Sequence, residues 1–136
     1  MTARFVLSLC ALTLMLGCKG TRPDAPLTGS ESLHDLMESM ESAAKPLFAR
    51  TAGAPLTETE LPTLTASANR ILAINAAVKT RFASKHPTTF VGHSEQLEKG
   101  SQELVAALQA KDAAATQAAV KTIDGACGAC HKEFKQ

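Results

Sequence analysis

Two cysteines and a histidine near the C-terminus form the most chemically distinctive pattern in this sequence. Cys127 and Cys130 are separated by two residues, and His131 follows directly. Two thiols three positions apart on a helix can add to the two vinyl groups of one haem and form two thioethers. Because His131 lies four residues after Cys127, it projects from the same side of a helix and can ligate the iron. The pattern therefore predicts one covalently bound haem c, held by Cys127 and Cys130, with His131 as an axial ligand.

Other chemistries use the same residue types. A thioredoxin-like redox pair requires a strand–helix–strand context, which this sequence lacks. A zinc site normally has four ligands, and His34, His86 or His93 could supply the fourth, although none of them lies in a paired motif. We expect His86 and His93 to be surface residues. A chance occurrence of the pattern is the remaining alternative, and we favour haem attachment over all three.

Residues 1–17 have the features of a lipoprotein signal peptide. Arg4 supplies a positive charge, and residues 5–16 form an apolar run that is too short to span a bilayer as a stable helix. The run ends in a sequence that resembles the bacterial lipobox, so we expect cleavage before Cys18 and a lipid anchor on that residue. The alternative is an ordinary signal peptide followed by a chance cysteine. The expected location is the periplasmic side of the cell envelope. Because Lys19 rather than Asp follows Cys18, we expect the outer membrane if the cell is Gram-negative.

The remaining chain divides into a tether and one domain. Residues 18–29 are predicted to be the lipidated cysteine and a flexible tether, and residues 30–136 the folded domain. Of the 14 basic side chains, only Arg4 lies in the leader, which leaves 13 basic against 13 acidic side chains. This balance and the absence of Trp and Tyr do not favour nucleic-acid binding. Cys10 also lies in the leader, so no cysteine remains for a structural disulfide.

Four segments with apolar residues at spacings of three and four predict four amphipathic helices. The first begins near Thr28, which forms a possible capping box with Glu31, and it bends or ends at Pro46. The second begins between Thr57 and Pro62. The predicted inward stripes of these two helices are Leu33, Met37, Met40, Ala44 and Leu47, and then Leu61, Leu64, Ala68, Ile71, Asn75, Val78 and Phe82.

The second half of the domain continues this pattern. Residues 85–87 close the second helix, residues 88–92 are predicted to be a loop, and the third helix spans about 93–111. Asp112 can cap the last helix, whose inward stripe contains the cysteine pair. Asn75 is predicted either to be buried near a haem propionate or to lie at the surface. Together the four segments predict an all-α, antiparallel four-helix bundle with covalently bound haem.

The segment from Cys127 to Lys135, at the end of a predicted four-helix bundle, resembles the class II c-type cytochromes, the cytochrome c′ family, here in lipoprotein form. In that family an aromatic and a basic residue follow the haem motif, and Phe134 and Lys135 match them. The resemblance covers residues 28–136, although many members contain the Trp and Tyr that this chain lacks. It implies redox partner proteins, a possible homodimer and no catalytic residues, so we expect a haem protein that is not an enzyme.

The resemblance also implies that the residue facing His131 comes from the first helix. Family members with Met there are six-coordinate electron carriers, whereas members with a bulky non-ligating residue are five-coordinate and bind nitric oxide or carbon monoxide. Met37 matches the family's ligand position, and Met40 and His34 are the alternatives. The expected function is a membrane-tethered carrier of one electron with His131 and Met37 as axial ligands. The alternative is a five-coordinate haem protein that binds nitric oxide or carbon monoxide.

Overall fold

The structure, a computed structural model, describes residues 25–135. Within that range it contains four α-helices, a short 3-10 helix and no strand; the helices are α1 (Leu33–Phe48), α2 (Leu61–Phe82), α3 (Thr88–Gln109) and α4 (Ala113–Phe134), and the 3-10 helix is Ala83–Lys85. The predicted signal peptide, the predicted lipid site at Cys18 and most of the predicted tether lie outside the described residues. None of the described helices is both long and apolar enough to cross a membrane.

The helices pack as a four-helix bundle, which confirms the predicted fold class. Each helix packs along the next one in the chain, and the α3–α4 pair shares the most extensive contact. The connections between α2 and α3 and between α3 and α4 are only a few residues long, so successive helices run antiparallel. By contrast, α1 and α4 touch over a short stretch only. The bundle is therefore closed on three sides and loosely packed on the fourth.

Aliphatic side chains from all four helices fill the centre of the bundle. The largest side chains that are almost fully buried include Leu36, Leu47, Ile71, Ile74, Leu104 and Ile123. Gly100 is also buried, and a Cβ at this position would lie 3.0 Å from the Thr122 side chain on α4. The absence of a side chain at Gly100 thus permits the close approach of α3 to the helix that carries the haem motif.

The start of α1 differs from the prediction. The helix begins at Leu33, five residues after Thr28, and its capping box is formed by Ser32 and Asp35. The Asp35 backbone N–H donates to Ser32 Oγ at 3.1 Å, and the Ser32 backbone N–H donates to Asp35 Oδ2 at 2.9 Å. The predicted partner Glu31 does accept hydrogen bonds from the Thr28 backbone and, at 3.0 Å, from Thr28 Oγ1, but no helix begins at Thr28. Two overlapping capping signals occur here, and the helix follows the second one, which lies directly before Leu36, the first buried residue of the described chain.

The predicted loop at residues 88–92 is wrong, because α3 begins at Thr88. Pro87 precedes the helix with extended backbone angles, and its carbonyl accepts the Phe90 N–H at 3.0 Å. Phe90 is buried in the core, which fixes this first turn in place. Burial of one aromatic ring therefore outweighs the weak helix propensity of two threonines and a glycine.

The predicted cap of α4 is confirmed. Asp112 Oδ1 accepts the Ala115 N–H at 2.9 Å, which satisfies one of the free donors of the first turn. The preceding residue, Lys111, has a positive φ of 55°, and the Asp112 N–H donates to Ala107 O at 2.9 Å. This is a left-handed helix ending that reverses the chain within three residues. It sets the antiparallel alignment of α3 and α4.

Candidate haem-binding site

The three residues of the C-terminal motif line one cavity between the helices. α4 begins after its N-cap residue Asp112 and is 22 residues long, so the motif lies in its last two turns. The space measures about 410 Å³, including the part that is open to solvent, and its lining is mostly apolar. The lining residues are Met37, Met40, Asn75, Val78, Phe90, His93, Ser94, Leu97, Ala126, Cys127, Cys130 and His131. All four helices thus contribute to the site.

A second cleft adjoins this cavity on the side where α1 and α4 pack loosely. It has an empty volume of about 890 Å³ and shares Met37, Phe90, Cys130 and His131 with the first cavity. The two spaces therefore meet at the same four residues. Cys127 and Cys130 would hold a flat apolar group beside this junction. The residues present fit a covalently attached haem.

The environment of the two thiols does not suit redox exchange. Both cysteines are free and half-buried. Burial raises the pKa of the Cys127 thiol to about 11, with smaller contributions from the charge of Asp124 and from Cys130. Burial also raises the pKa of Cys130. Cysteines that exchange disulfides have lowered pKa values, because the thiolate is the reactive form. A thioredoxin-like function therefore has no support in this environment.

Metal binding by side chains alone has no support either. Across residues 25–135, no group of three or more His, Cys, Asp or Glu side chains is arranged to hold a metal ion. The zinc interpretation needed such a group, formed by the C-terminal motif and one further histidine. In a haem site the porphyrin supplies four ligands, so the protein needs to supply only the axial ones.

The methionines of α1 and the motif residues of α4 lie on the same cavity. Met40 is buried and lines the first cavity only. Met37 is half-buried and lines both spaces, as does His131. His34 lies outside the first cavity, with its side chain 79% exposed and its Nε2 3.4 Å from Glu38. Both methionines therefore lie beside the haem motif, whereas His34 lies at the exposed edge of the second cleft.

His93, which was predicted to lie at the surface, is a residue of the site. Its side chain is only 19% exposed, it lines the first cavity, and its Nε2 lies 3.0 Å from Glu133 Oε2. Glu133 also accepts from Thr89 Oγ1 at 2.6 Å, and hydrogen bonds from Thr89 and His93 lower the pKa of its carboxyl. The error follows from the helix boundary: with α3 starting at Thr88, His93 lies in its second turn, one helical turn before Leu97 on the inward stripe.

A cluster of aromatic rings closes this end of the cavity. His86 stacks on Phe90 with ring centroids 4.5 Å apart, and Phe134 meets Phe90 edge-on at 5.5 Å. Phe134 also meets the His93 ring edge-on at 6.2 Å. Edge-to-face pairs at these distances are stabilising. They hold the C-terminal turn of α4, and with it His131, against the start of α3.

A buried polar pair forms part of the cavity wall. Asn75 Nδ2 donates to the Ser94 carbonyl at 2.8 Å, and Ser94 Oγ donates to Asn75 Oδ1 at 2.6 Å. Asn75 is 2% exposed, so the predicted alternative of a surface position is wrong. The two reciprocal bonds join α2 to α3 beside the site. Ser94 carried no sequence signal, because it lies one residue after the predicted start of the third helix.

Comparison with known protein families agrees with this geometry. The sequence model of the family described as Cytochrome C' matches residues 31–135, which is more than half of the chain. Neither the curated proteins nor the solved structures compared with the chain gave a match. Members of this family bind haem c covalently and act as electron carriers or gas-binding proteins rather than as conventional enzymes. The chain belongs to the cytochrome c′ family and is a c-type haem protein.

Proposed function

We propose that this protein is a membrane-tethered carrier of one electron with a single haem c. Cys127 and Cys130 hold the haem through thioethers, His131 is one axial ligand of the iron, and Met37 is the other. The observation that carries the proposal is the shared cavity, in which the last turns of α4 and the methionines of α1 line the same space. When bound, the haem supplies an iron that alternates between the ferric and ferrous states.

The protein residues around this cavity suit an electron carrier. The walls formed by Val78, Phe90 and Leu97 are apolar and limit the access of water. Low polarity around a haem and a thioether ligand both stabilise ferrous over ferric iron, because the ferric centre carries one more positive charge. We therefore expect a higher reduction potential than bis-histidine ligation would give.

Met37 is favoured over Met40 as the sixth ligand. Met37 lies at the junction of the two spaces, where His131 also lies, whereas Met40 lines only the inner cavity. Met40 is also buried among the core residues of α1, where Met commonly fills irregular gaps. His34 is disfavoured because its ring is exposed and lies beside Glu38.

Optical spectroscopy of Met37→Ala and Met40→Ala tests this assignment. The unmodified ferric protein is expected to be six-coordinate and low-spin, with one haem per chain by haemochrome assay. Met37→Ala is expected to become high-spin, while the matched control Met40→Ala keeps the low-spin spectrum. A low-spin spectrum in Met37→Ala would remove Met37 from the role, and a change in Met40→Ala alone would transfer the role to that residue.

The rate at which the unmodified protein binds carbon monoxide distinguishes the gas-binding alternative from the electron carrier. A five-coordinate ferrous haem binds carbon monoxide rapidly at neutral pH, whereas a methionine ligand must first dissociate. We expect slow binding in the unmodified protein and rapid binding in Met37→Ala. Rapid binding in both would contradict the carrier assignment and favour a protein that binds nitric oxide or carbon monoxide.

We also propose that a lipid on Cys18 anchors the mature chain at the periplasmic side of the cell envelope. The proposal rests on the apolar leader and the lipobox-like sequence that ends at Cys18. Lys19 favours the outer membrane in a Gram-negative cell. Cys18→Ser is expected to release the protein from membrane fractions and to abolish incorporation of labelled palmitate. Retention of the label in this variant would contradict the proposal.

A further inference from the structure

Arg70 differs from the other arginines in the described part of the chain. Arg50 Nε lies 2.6 Å from Glu60 Oε1, and Arg81 Nη1 lies 3.1 Å from Glu31 Oε2. Arg70 has no such carboxylate among residues 25–135, and its Nε is buried without a hydrogen-bond acceptor. A guanidinium stays charged at every physiological pH and carries five N–H donors. Buried donors in folded proteins almost always have a partner, so an unpaired one requires an explanation such as an ordered water or a bound ion.

Arg70 lines a cleft between α1 and α2 that is separate from the haem site. The cleft has an empty volume of about 800 Å³, opens to solvent and shares no lining residue with the two haem-site spaces. Its polar lining residues are Arg70, Ser42, Thr63 and Ser67. No Asp or Glu lines it. The cleft therefore combines one unpaired positive charge with three hydroxyl groups and no negative charge.

The N-terminus of α2 makes a further electrostatic contribution that favours an anion in this cleft. Thr63 lies in the first turn of α2, where the Leu61 N–H donates to Thr57 O and Pro62 has no N–H, so the Thr63 N–H is the remaining donor of that turn. The residue before the helix, Glu60, makes no side-chain cap on that turn. Thr63, Ser67 and Arg70 follow at spacings of four and three, so they lie on one face of α2. The positive end of the helix and the guanidinium thus act on the same cleft, and both favour an anion.

We propose that this cleft binds a phosphate-type oxyanion. Arg70 contributes the charge and two parallel N–H donors, which match the spacing of two oxygens on one phosphorus. Ser42 and Ser67 donate hydroxyl hydrogen bonds to the remaining oxygens. The same chemistry is offered by free inorganic phosphate and by the phosphodiester of a lipid headgroup.

Thermal unfolding of the full-chain holoprotein, followed by far-UV circular dichroism, measures the binding. A ligand that binds only the folded state raises the unfolding midpoint in a saturable way. We expect a saturable rise with inorganic phosphate, measured against sodium chloride at equal ionic strength. Arg70→Gln is expected to weaken the apparent affinity at least tenfold, and Arg70→Lys less than that. The control Arg81→Gln removes the same charge from the same helix and is expected to change the affinity less than twofold.

Further measurements keep the test decisive. If Arg70→Gln does not fold, Ser67→Ala is expected to weaken phosphate binding several-fold while the haem spectrum stays unchanged. Soluble glycerophosphoglycerol replaces phosphate in a parallel titration: tighter binding of this diester assigns the site to a lipid headgroup, and tighter binding of inorganic phosphate assigns it to the free anion. The proposal is overturned if neither compound gives a saturable rise, or if Arg70→Gln and Arg81→Gln respond alike.

Discussion

Replacing Gly100 by Ala measures how closely α3 approaches the helix that carries the haem motif. A Cβ at this position would lie 3.0 Å from Thr122 Cγ2 and 3.2 Å from Ile123 Cγ1. Ile123 is fully buried and cannot move aside without displacing the core. Overpacking of this kind typically costs about 1–3 kcal/mol. The higher helix propensity of Ala contributes about 1 kcal/mol in the opposite direction. The expected net effect therefore ranges from neutral to a loss of about 2 kcal/mol.

Gly92→Ala is the matched control on the same helix. A Cβ at Gly92 meets nothing within 4 Å, so only the propensity gain of about 1 kcal/mol remains. Urea unfolding of both ferric holoproteins is followed by far-UV circular dichroism at equal haem content. The free energy of unfolding of Gly92→Ala should exceed that of Gly100→Ala by about 1–3 kcal/mol. Equal stability of the two variants would refute the reasoning, because it would mean that α3 and α4 are not in close contact at Gly100.

Three further predictions concern single contacts. Asp112→Ala removes the cap of α4 and should cost about 1 kcal/mol in urea unfolding; an unchanged midpoint would contradict the cap. Ser94→Ala leaves the buried Asn75 carbonyl oxygen without its donor and should cost about 1–3 kcal/mol, measured by thermal unfolding; a loss well below that range would show that this oxygen is not buried. Hydrogen bonds from the Thr28 backbone, and smaller contributions from the Thr28 hydroxyl and Arg81, lower the pKa of Glu31 from 4.5 to about 2. A lowered folded-state pKa stabilises the fold above pH 4.5, and this stabilisation is lost as the pH falls towards 2. Glu31→Gln should therefore be less acid-sensitive between pH 5 and pH 2.5 in urea unfolding, and an equal sensitivity would show that Glu31 is not involved.

Helix content and helix order were predictable because they depend on local periodicity. Apolar residues recur every three or four positions in all four segments, and this pattern indicates a helix whatever its neighbours are. Asp112 was predictable as a cap for the same reason, since a cap and its helix lie within four residues. The starts of α1 and α3 were not predictable from local sequence. Ser32 and Thr28 both begin possible capping boxes, and local sequence does not tell which of the two starts the helix that buries Leu36.

The chemistry of the site was predictable, but the prediction left out some of the residues that surround it. The motif residues and the candidate methionines of α1 followed from residue spacing and family resemblance, and they line one cavity in the structure. Whether Met37 binds the iron stays a prediction. His93 and Ser94 were missed as cavity residues because they lie next to a helix boundary that was placed five residues too late.

The sequence by itself determined the haem motif and the family, because Cys127, Cys130 and His131 act within one helical turn and need no distant partner to be recognised. Only the tertiary structure decided which groups face that motif. The loose packing of α1 on α4 opens the space beside it, and the close contact of α3 with α4 at Gly100 brings the wall containing His93 and Ser94 to it. These arrangements depend on contacts between residues far apart in the chain. Local periodicity carries no information about such contacts.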